Sequence, residues 1–487
     1  MPPTPALPSA LTVASYLGAL CYPPGSVVAA YDEGRSATRG SGGRGPRCRD
    51  RRNAPWHARH RWWLPSLMVL CLGVAPIARA ATPLTLPHAV RTALAHQPSL
   101  QADARLTKAG EFRMRAHRGV LFPQLGVQAG DLYSSNHNGT TDFVAANGPR
   151  ELTSLLVLHQ ILYDPAATAA VDAARARAAF ARYRALRNRL TVALAVAQTY
   201  YDLQAAQAAA RVWDAAARTN RKVVAVTRQA LSAGNRARID LLRAEAALSQ
   251  AEGAQSQARA RAAGARQLLS LMTGLAPLPP VPAATPVAET FTLPPPGEVE
   301  TAALRDQPVL HMARSQERQQ SALVRQARGA RLPQIGVQAA YGWDTLGSLR
   351  QRTLGWSAGL ELTAPLFAGG TLRDREDAAR LERQAAHLRY QQTRLEVREA
   401  VSTAWNDAQG ALAAYRSAVA VSRTKQEIWR DSEAGYRAGR MGSLALFLAQ
   451  QDWLDSRIQA LGAAAQLRFA LVRLNLVAGR LPAREEP

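Results

Sequence analysis

The fold is decided by one uninterrupted stretch, residues 166–233, whose central part, residues 190–204, reads LTVALAVAQTYYDLQ. None of these 68 residues is Gly or Pro, whereas globular helices typically run only ~8–20 residues. A helix of this length would extend roughly 100 Å, which is too long for a compact domain. Spacings of four and three residues between apolar positions form a narrow seam, as in helices packed side by side. These positions are Leu186, Leu190, Ala193, Ala197 and Tyr200. On its own, the stretch suits a solvated coiled-coil stalk equally well.

A second copy of this stretch lies 205 residues later in the chain. Residues 395–409 read LEVREAVSTAWNDAQ, and residues 371–434 are interrupted only by Gly410. The positions that match across the shift include Leu190 with Leu395, Tyr200 with Trp405 and Asp202 with Asp407. Internal repeats of this kind determine the whole architecture. We therefore predict a first repeat over residues 81–283 and a second over residues 284–487.

A β-hairpin is predicted before each long helix. Its first strand begins with Pro-Gln-Leu/Ile-Gly-Val, at Pro123 in the first repeat and at Pro333 in the second. There the apolar period changes from 3.6 residues to two, which marks a switch from helix to strand. Returning strands are expected at residues 152–163 and 354–367. Strands of ~10–12 residues have the length that a tilted transmembrane strand requires.

Each long helix is expected to end at a glycine that turns the chain back. Gly234 and Gly439 occupy this place, again 205 residues apart, and Gly commonly follows the end of a helix. Shorter helices, expected at residues 236–273 and 443–478, then return along the long ones. Residues 275–297 are rich in Pro and Ala and are predicted to form an extended linker between the repeats.

Residues 1–80 are predicted to comprise an N-terminal extension and a signal peptide. A basic stretch from Arg59, an apolar stretch at residues 62–77 and the small residues at both ends of 78–80 match the three parts of a secretory signal. A membrane anchor is the alternative, but ~20 apolar residues are needed to span a bilayer. All three cysteines precede residue 81, so the mature chain is expected to lack disulfides and thiolate chemistry.

The predicted mature chain is strongly basic. Residues 1–80 contain 10 of the 60 Lys and Arg residues and 3 of the 36 Asp and Glu residues, which leaves a net charge of +17. Almost all of these cations are arginines spread along the helices, so they indicate solvated helix faces and not a nucleic-acid patch. No nucleic-acid partner and no cofactor are expected.

One motif points toward catalysis. Residues 355–359 read GWSAG, which matches the nucleophile elbow of serine hydrolases. That elbow requires a turn from strand to helix after the Ser, whereas Leu360, Leu362 and Ala364 continue the alternation of a strand. No phosphate-binding loop or paired-His metal motif occurs in the predicted mature sequence. We therefore expect a protein without enzymatic activity.

Several sequence features of a known family occur together in this chain. They are Leu84-Thr85-Leu86 with Ala89-Val90 and Ala93-Leu94, the two Pro-Gln-(Leu/Ile)-Gly-Val strand starts, Pro365-Leu366-Phe367-Ala368-Gly369-Gly370, and the two Gly-centred reversals. In this combination, residues 84–479 resemble the outer membrane efflux protein family, the TolC type of exit duct. The resemblance implies a homotrimer in the outer membrane of a Gram-negative bacterium, with a periplasmic extension. It also implies the outer conduit of a tripartite efflux pump or a type I secretion system, with a periplasmic adaptor protein and an inner-membrane pump as partners.

The expected fold class is mainly α with a membrane β part: a duplicated unit of long coiled-coil helices plus a β-hairpin. Four strands in one chain cannot close a barrel, and open sheet edges are not tolerated in lipid. Three chains would supply a barrel of about 12 strands, continuous with a periplasmic α-helical barrel. A periplasmic coiled-coil adaptor or structural protein without a barrel is the alternative, but it would not explain the two hairpins. The hairpin loops at residues 134–150 and 342–352 are expected to face the outside of the cell.

The resemblance also implies site residues at the periplasmic end. The family narrows this end with acidic residues and a network of Tyr and Arg, and it docks its adaptor on the helix tips. Asp240 and Tyr436 match the gate residues, whereas Met441, Ala445 and Leu448 depart from the pattern in the second repeat. The expected adaptor-docking tips are Gly234, Asn235, Gly439 and Arg440.

Two alternatives stay open for the acidic residues. Asp240 could instead stabilise the first turn of a helix through the helix dipole. Asp202 and Asp407, which lie within the long helices, are expected to form helix–helix hydrogen bonds, and a tunnel ion site is the alternative.

Overall fold

The computed structural model describes residues 83–133, 150–283, 291–344 and 354–481, all within one compact unit. In this part, the chain passes twice through the same order of two helices, two strands and two helices. The first repeat contains α1 (Leu86–His96), α2 (Pro98–Gly119), β1 (Gln124–Tyr133), β2 (Arg150–Tyr163), α3 (Pro165–Ser232) and α4 (Arg238–Thr273). The second contains α5 (Pro296–Asp306), α6 (Pro308–Gly329), β3 (Gln334–Asp344), β4 (Leu354–Thr363), α7 (Thr371–Arg437) and α8 (Ser443–Val477). The predicted signal peptide, the three cysteines and residues 134–149 and 345–353 of the hairpin loops lie outside the described residues.

The two long helices are present with nearly the predicted limits. α3 has 68 residues and α7 has 67, and α7 continues through Gly410 without interruption. The start of α3 is fixed by its sequence, because Asp164 Oδ1 accepts a hydrogen bond of 2.9 Å from the Ala167 N–H and Pro165 occupies the first turn. Before α7, Gly370 adopts a left-handed conformation (φ 83°) and no side chain caps the helix.

Both long helices end in the same hydrogen-bonded turn. After α3, the Asn235 N–H donates to the Ala230 carbonyl at 2.9 Å, and the Gly234 N–H donates to the Leu231 carbonyl at 3.0 Å. After α7, the Arg440 N–H donates to the Gly435 carbonyl, also at 2.9 Å. The two central glycines have φ of 76° and 73°, a conformation that other residues rarely adopt. The predicted reversals are therefore confirmed. Glycine is favoured at both because the backbone is left-handed there.

The four strands form one antiparallel sheet in the order β1-β2-β3-β4. The β2–β3 pairing, for example Leu156 opposite Tyr341, joins the two repeats and leaves β1 and β4 at the edges. β4 ends at Thr363 and not at the predicted Phe367. Pro365 has no N–H to donate, and Gly369 and Gly370 have positive φ, so the chain leaves the sheet four residues earlier than predicted.

The two faces of the sheet differ in polarity. Alternation of side chains along paired strands places one set of apolar residues on a single face. This apolar face, which is exposed in the single chain, includes Leu125, Val127, Leu156, Tyr341, Trp343, Trp356, Leu360 and Leu362. The opposite face is more polar and carries Gln124, Gln128, His159, Gln338, Ser357 and Glu361, together with Leu155 and Val157 of β2. A sheet of this kind has one side for lipid and one side for water.

A second layer covers the middle of each long helix. α1 packs on α3, and the buried Tyr200 hydroxyl donates a hydrogen bond of 3.0 Å to the Leu84 carbonyl, two residues before α1. α5 packs on α7, and Trp405 Nε1 donates a hydrogen bond of 2.9 Å to the Pro294 carbonyl, two residues before α5. The aligned aromatic residues therefore perform the same task in both repeats.

The neighbours of α3 and α7 differ. α3 packs against α1, α2, α4, α6 and α8, whereas α7 packs against α5, α6 and α8. In α7, the exposed Leu381, Leu388 and Leu395 recur every seven residues. Ala386 is buried, and Leu388 lies two residues further on, which is roughly 200° around the helix. This leucine row therefore lies on the flank of α7 away from the buried Ala386 and is exposed in the single chain.

Among the described helices, α8 is the one with sufficient length and hydropathy to cross a membrane, with a mean hydropathy of 1.3 over its most apolar window. It packs along α7 and α3, with Leu454, Leu467 and Leu474 in the helical cores. Part of its apolar surface is therefore used in helix packing.

Candidate functional site

The two helical reversals lie at the end of the long helices that is remote from the sheet. Gly234 and Asn235 of the first tip and Gly439 and Arg440 of the second are all exposed. Near them, Ile239 and Leu444 occupy equivalent positions 205 residues apart and are also exposed. Each tip thus presents a glycine turn beside an exposed apolar side chain.

Asp240 connects the two tips. It is the third residue of α4, and Ser443, the first residue of α8, donates a hydrogen bond through Oγ to Asp240 Oδ1. Arg243 lies close to both, with Nη1 4.0 Å from Asp240 Oδ1 and 3.4 Å from Ser443 Oγ. Because Ser443 is buried and the Asp240 side chain is only 17% exposed, this polar contact is largely shielded from water. The position in the first turn also fits the helix-dipole alternative.

Tyr436 makes a separate connection between the tips. The Arg236 guanidinium lies 4.5 Å from the centre of the Tyr436 ring, a cation–π contact between the α3–α4 turn and the end of α7. The described contacts therefore form two links, Asp240 with Ser443 and Arg236 with Tyr436, and do not join the two predicted gate residues directly. Ser443 and Arg236 were missed in the sequence because each lies 200 or more residues from its partner.

Hydrogen bonds of two buried side-chain amides join α3, α4 and α8 near the tips. Gln450 Nε2 of α8 donates to Asn220 Oδ1 of α3 at 3.0 Å, and Asn220 Nδ2 donates to the Ala247 carbonyl of α4 at 3.0 Å. Both side chains are buried, so loss of either one would leave a polar group without a partner. These hydrogen bonds hold the first helical hairpin against the second.

The aspartates within the long helices differ from each other. Asp407 Oδ2 pairs with Arg473 Nη1 of α8 at 2.7 Å, which confirms a helix–helix hydrogen bond. Asp202 accepts a hydrogen bond of 3.0 Å from Gln198 of its own helix, so the helix–helix prediction is wrong for Asp202. The returning helix of the second repeat supplies an arginine for the Asp407 contact, whereas the hydrogen bond to Asp202 stays within about one turn of α3.

An ionic cluster lies at the other end of the long helices, near the sheet. The buried carboxylate of Glu376 pairs with Arg331 at 2.8 Å, Arg328 at 3.2 Å and Arg380 at 2.7 Å. Hydrogen bonds from Arg331 and then Arg328 lower the pKa of Glu376 below its usual value, which outweighs the effect of burial. Glu376 therefore stays ionised and joins the end of α6 to the first turns of α7.

The serine motif lies within a β-strand. Ser357 lies in the middle of β4 with Leu360 and Leu362 continuing the strand, as predicted. Within the described ranges, no group of three His, Cys, Asp or Glu side chains is placed to hold a metal ion.

Comparisons with known proteins agree with this architecture. The outer membrane efflux protein family matches residues 89–275 and 301–480. Protein CyaE of Bordetella pertussis is 28% identical over 426 residues, which cover 83% of this chain and 86% of CyaE. Alkaline protease secretion protein AprF of Pseudomonas aeruginosa is 28% identical over 424 residues, which cover 80% of this chain and 87% of AprF. The solved structure of the outer membrane protein VceC from Vibrio cholerae superimposes with a TM-score of 0.70 at 19% identity and covers 81% of this chain and 96% of VceC.

The fold, together with the match of the family to both repeats, defines a class of outer membrane transport channel. The chain belongs to the outer membrane efflux protein family. It is an outer membrane exit duct of a tripartite efflux pump or a type I secretion system, with a periplasmic helical tunnel, as the sequence predicted. Its family consists of transport channels, and its role implies adaptor and inner-membrane partners.

Proposed function

We propose that three copies of this chain form a 12-strand membrane barrel above a helical tunnel, and that this duct acts without catalysis. The two-faced sheet carries the proposal. Its apolar face can meet lipid and its polar face can line a water-filled lumen, but its β1 and β4 edges carry unpaired backbone groups. Pairing β4 of one chain with β1 of the next satisfies both edges. Closure after three chains gives a lumen wide enough for water.

The exposed flank of α7 supports the same trimer. The leucine row of Leu381, Leu388 and Leu395 is exposed on α7, the helix that follows the β4 edge. α2, which precedes the β1 edge, carries exposed Leu106 and Phe112. If β4 pairs with β1 of the next chain, α7 meets α2 of that chain, and these apolar side chains become buried together. The strand edges and the helix flanks thus require the same neighbour.

We propose that the tips dock the periplasmic adaptor and that Asp240 and Tyr436 hold the periplasmic gate. Gly234, Asn235, Gly439 and Arg440 form the turns that an adaptor would contact, with Ile239 and Leu444 as apolar anchors. The Asp240–Ser443 and Arg236–Tyr436 links join the two tips of one chain, so opening of the pore requires the tips to move as a pair or these links to break.

The proposed cargo is a secreted protein. The support is the 28% identity over most of the chain with a protein named for alkaline protease secretion. The test is to express this chain in Pseudomonas aeruginosa without AprF and to measure extracellular protease together with drug susceptibility. Restored protease secretion supports a secretion duct, whereas restored drug resistance without secretion would assign the chain to small-molecule efflux.

The trimer itself is tested on the purified full chain by mass measurement in detergent. A mass of three chains that collapses to one on heating supports the barrel. A stable monomer with folded strands would contradict it.

A further inference from the structure

A cavity of about 430 Å³ lies between the two halves of the duplicated chain, away from the tips and the sheet. Val212 of α3 and Leu454 of α8 contribute to its apolar lining, and Ala283 lines it at the end of the segment that packs with α1. Every lining residue belongs to one chain. The volume falls within the ~300–1,000 Å³ that is typical of small-molecule sites.

One wall of the cavity is aromatic. The rings of Trp429 of α7 and Trp453 of α8 are stacked, with centroids 4.5 Å apart and planes within 3° of parallel. The Arg457 guanidinium lies 5.4 Å from the Trp453 ring centre. A stacked pair of this kind is a flat surface on which another flat ring can pack.

The charged side chains that line the cavity are all positive. Arg211 of α3 and Arg457 of α8 line it, and none of the lining residues is Asp or Glu. Two of the acids that are close in sequence are engaged in ion pairs. Asp214 pairs with Arg259 at 2.8 Å, and Asp452 pairs with Lys425. The polar Gln450 also lines the cavity, with its amide already bonded to Asn220.

We propose that this cavity binds a flat aromatic anion, of the size of two fused rings with one carboxylate or sulfonate. The ring would pack against the indole wall, and the anionic group would accept hydrogen bonds from Arg211 and Arg457, which bind carboxylates through a planar fork. An aliphatic anion lacks the stacking contribution, and an aromatic cation is repelled by the two arginines.

Binding would couple the two repeats. Arg211 belongs to α3 of the first repeat, whereas Trp429, Trp453 and Arg457 belong to the second. A ligand held from both sides stabilises the packing of α3 against α8 and resists separation of the two hairpins. The ligand therefore stabilises the contact between the two repeats of one chain. This effect does not depend on the cargo of the duct or on the number of chains that form it.

The test is isothermal titration calorimetry of the full chain in nanodiscs with 2-naphthoate. Matched probes are cyclohexanecarboxylate, which lacks the aromatic ring, and 2-naphthylmethylamine, which has the opposite charge. The expected result is saturable binding of 2-naphthoate alone. Arg211→Gln and Arg457→Gln each weaken it about tenfold or more, as expected for one charged hydrogen-bonding partner. Arg430→Gln, an exposed arginine outside the lining, leaves it unchanged.

Several outcomes would overturn the proposal. They are no saturable binding of 2-naphthoate, equal binding of the cationic probe, or equal affinity in the Arg211 and Arg457 variants. Circular dichroism melting of each variant shows whether it is folded. Trp453→Leu, in which one ring of the wall is removed while both arginines stay, should abolish the preference for 2-naphthoate over cyclohexanecarboxylate. A retained preference in a folded variant would show that the indole wall is not the site.

Discussion

Tyr200 and Trp405 show how single residues preserve a task after duplication. Both donate a hydrogen bond to the carbonyl two residues before the covering helix, one through a hydroxyl and the other through an indole N–H. Their neighbours have diverged more. Asp407 finds Arg473 across the helix pair, whereas Asp202 bonds within its own helix. Repeat alignment therefore identifies these aromatic donors well, and exposed acids poorly, because an exposed acid has many possible partners.

Asp240 is expected to control the pore in two ways. Asp240→Asn removes the charge and keeps an acceptor for Ser443, so it should lower cation selectivity and cation block in planar bilayer recordings. Asp240→Ala also removes the link between the tips, so it should additionally raise the closed-state conductance. The loss of one charged hydrogen bond of roughly 1.5 kcal/mol per chain would shift the open fraction by about tenfold or more.

Ser443→Ala is the matched control for the link, since it removes the donor and leaves the charge. It should raise closed-state conductance without changing selectivity. Identical recordings for wild type and both Asp240 variants would leave Asp240 with a role in the first helical turn alone.

Glu376 predicts a pH dependence at the junction of helices and sheet. Its pKa is lowered in the folded chain by the hydrogen bonds from Arg331 and Arg328, so its stabilising effect is complete above the unfolded value, about 4.5, and is lost as the pH falls through the folded value. Melting temperatures measured from neutral to acidic pH should therefore fall more steeply for wild type than for Glu376→Gln. At neutral pH, the melting temperature of Glu376→Gln should lie below that of the wild type. Parallel curves for the two proteins would contradict the role of this cluster.

The elements of this chain could largely be predicted from the sequence, whereas their contacts could not. The ends of α3 and α7 lie within three residues of the predicted limits because Pro and Gly mark them locally. The end of β4 was wrong by four residues because the alternation continues to Ala364 beyond the last paired residue. The gate contacts of Ser443 and Arg236 depend on how two hairpins pack, and no local pattern encodes this.

Glycine is expected to be required at both helical reversals because of its backbone conformation. Gly234→Ala and Gly439→Ala each force a side chain into the left-handed region and should destabilise their tip by roughly 1–2 kcal/mol. Because a Cβ at either site would meet no other atom within 4 Å, the cost comes from the backbone alone. The expected result is an intact oligomer with weaker binding to its adaptor, measured by co-purification.

Two other glycines provide the control. Gly253 in α4 and Gly462 in α8 also have open space where a Cβ would lie, but they are inside helices and have no positive φ. Their Ala variants should raise the unfolding free energy by about 0.5–1 kcal/mol and leave adaptor binding unchanged. Equal loss of adaptor binding in all four variants would argue against a special role of the tips.

At the scale of the whole molecule, the open edges and the leucine row predict the oligomer. Leu388→Glu places a charge on the flank of α7 that is proposed to meet α2 of the next chain. Burial of one leucine contributes roughly 1.5–3 kcal/mol, and the substitution occurs three times per trimer. The variant should therefore dissociate in mild detergent, as measured by light scattering. Arg389→Glu, at the next exposed position, changes more charge but lies off this flank, so it should remain assembled.

The β2–β3 pairing has a further consequence for how the number of chains is set. Within one polypeptide this pairing joins two repeats, as the β4–β1 pairing would join two polypeptides. The ring can therefore be viewed as six hairpin units whose hydrogen-bonded seams lie alternately within and between polypeptides. Fusing three copies head to tail would turn the remaining seams into internal ones, so that a single gene fixes the stoichiometry. Such a concatemer would allow one Asp240, and not three, to be changed in each pore.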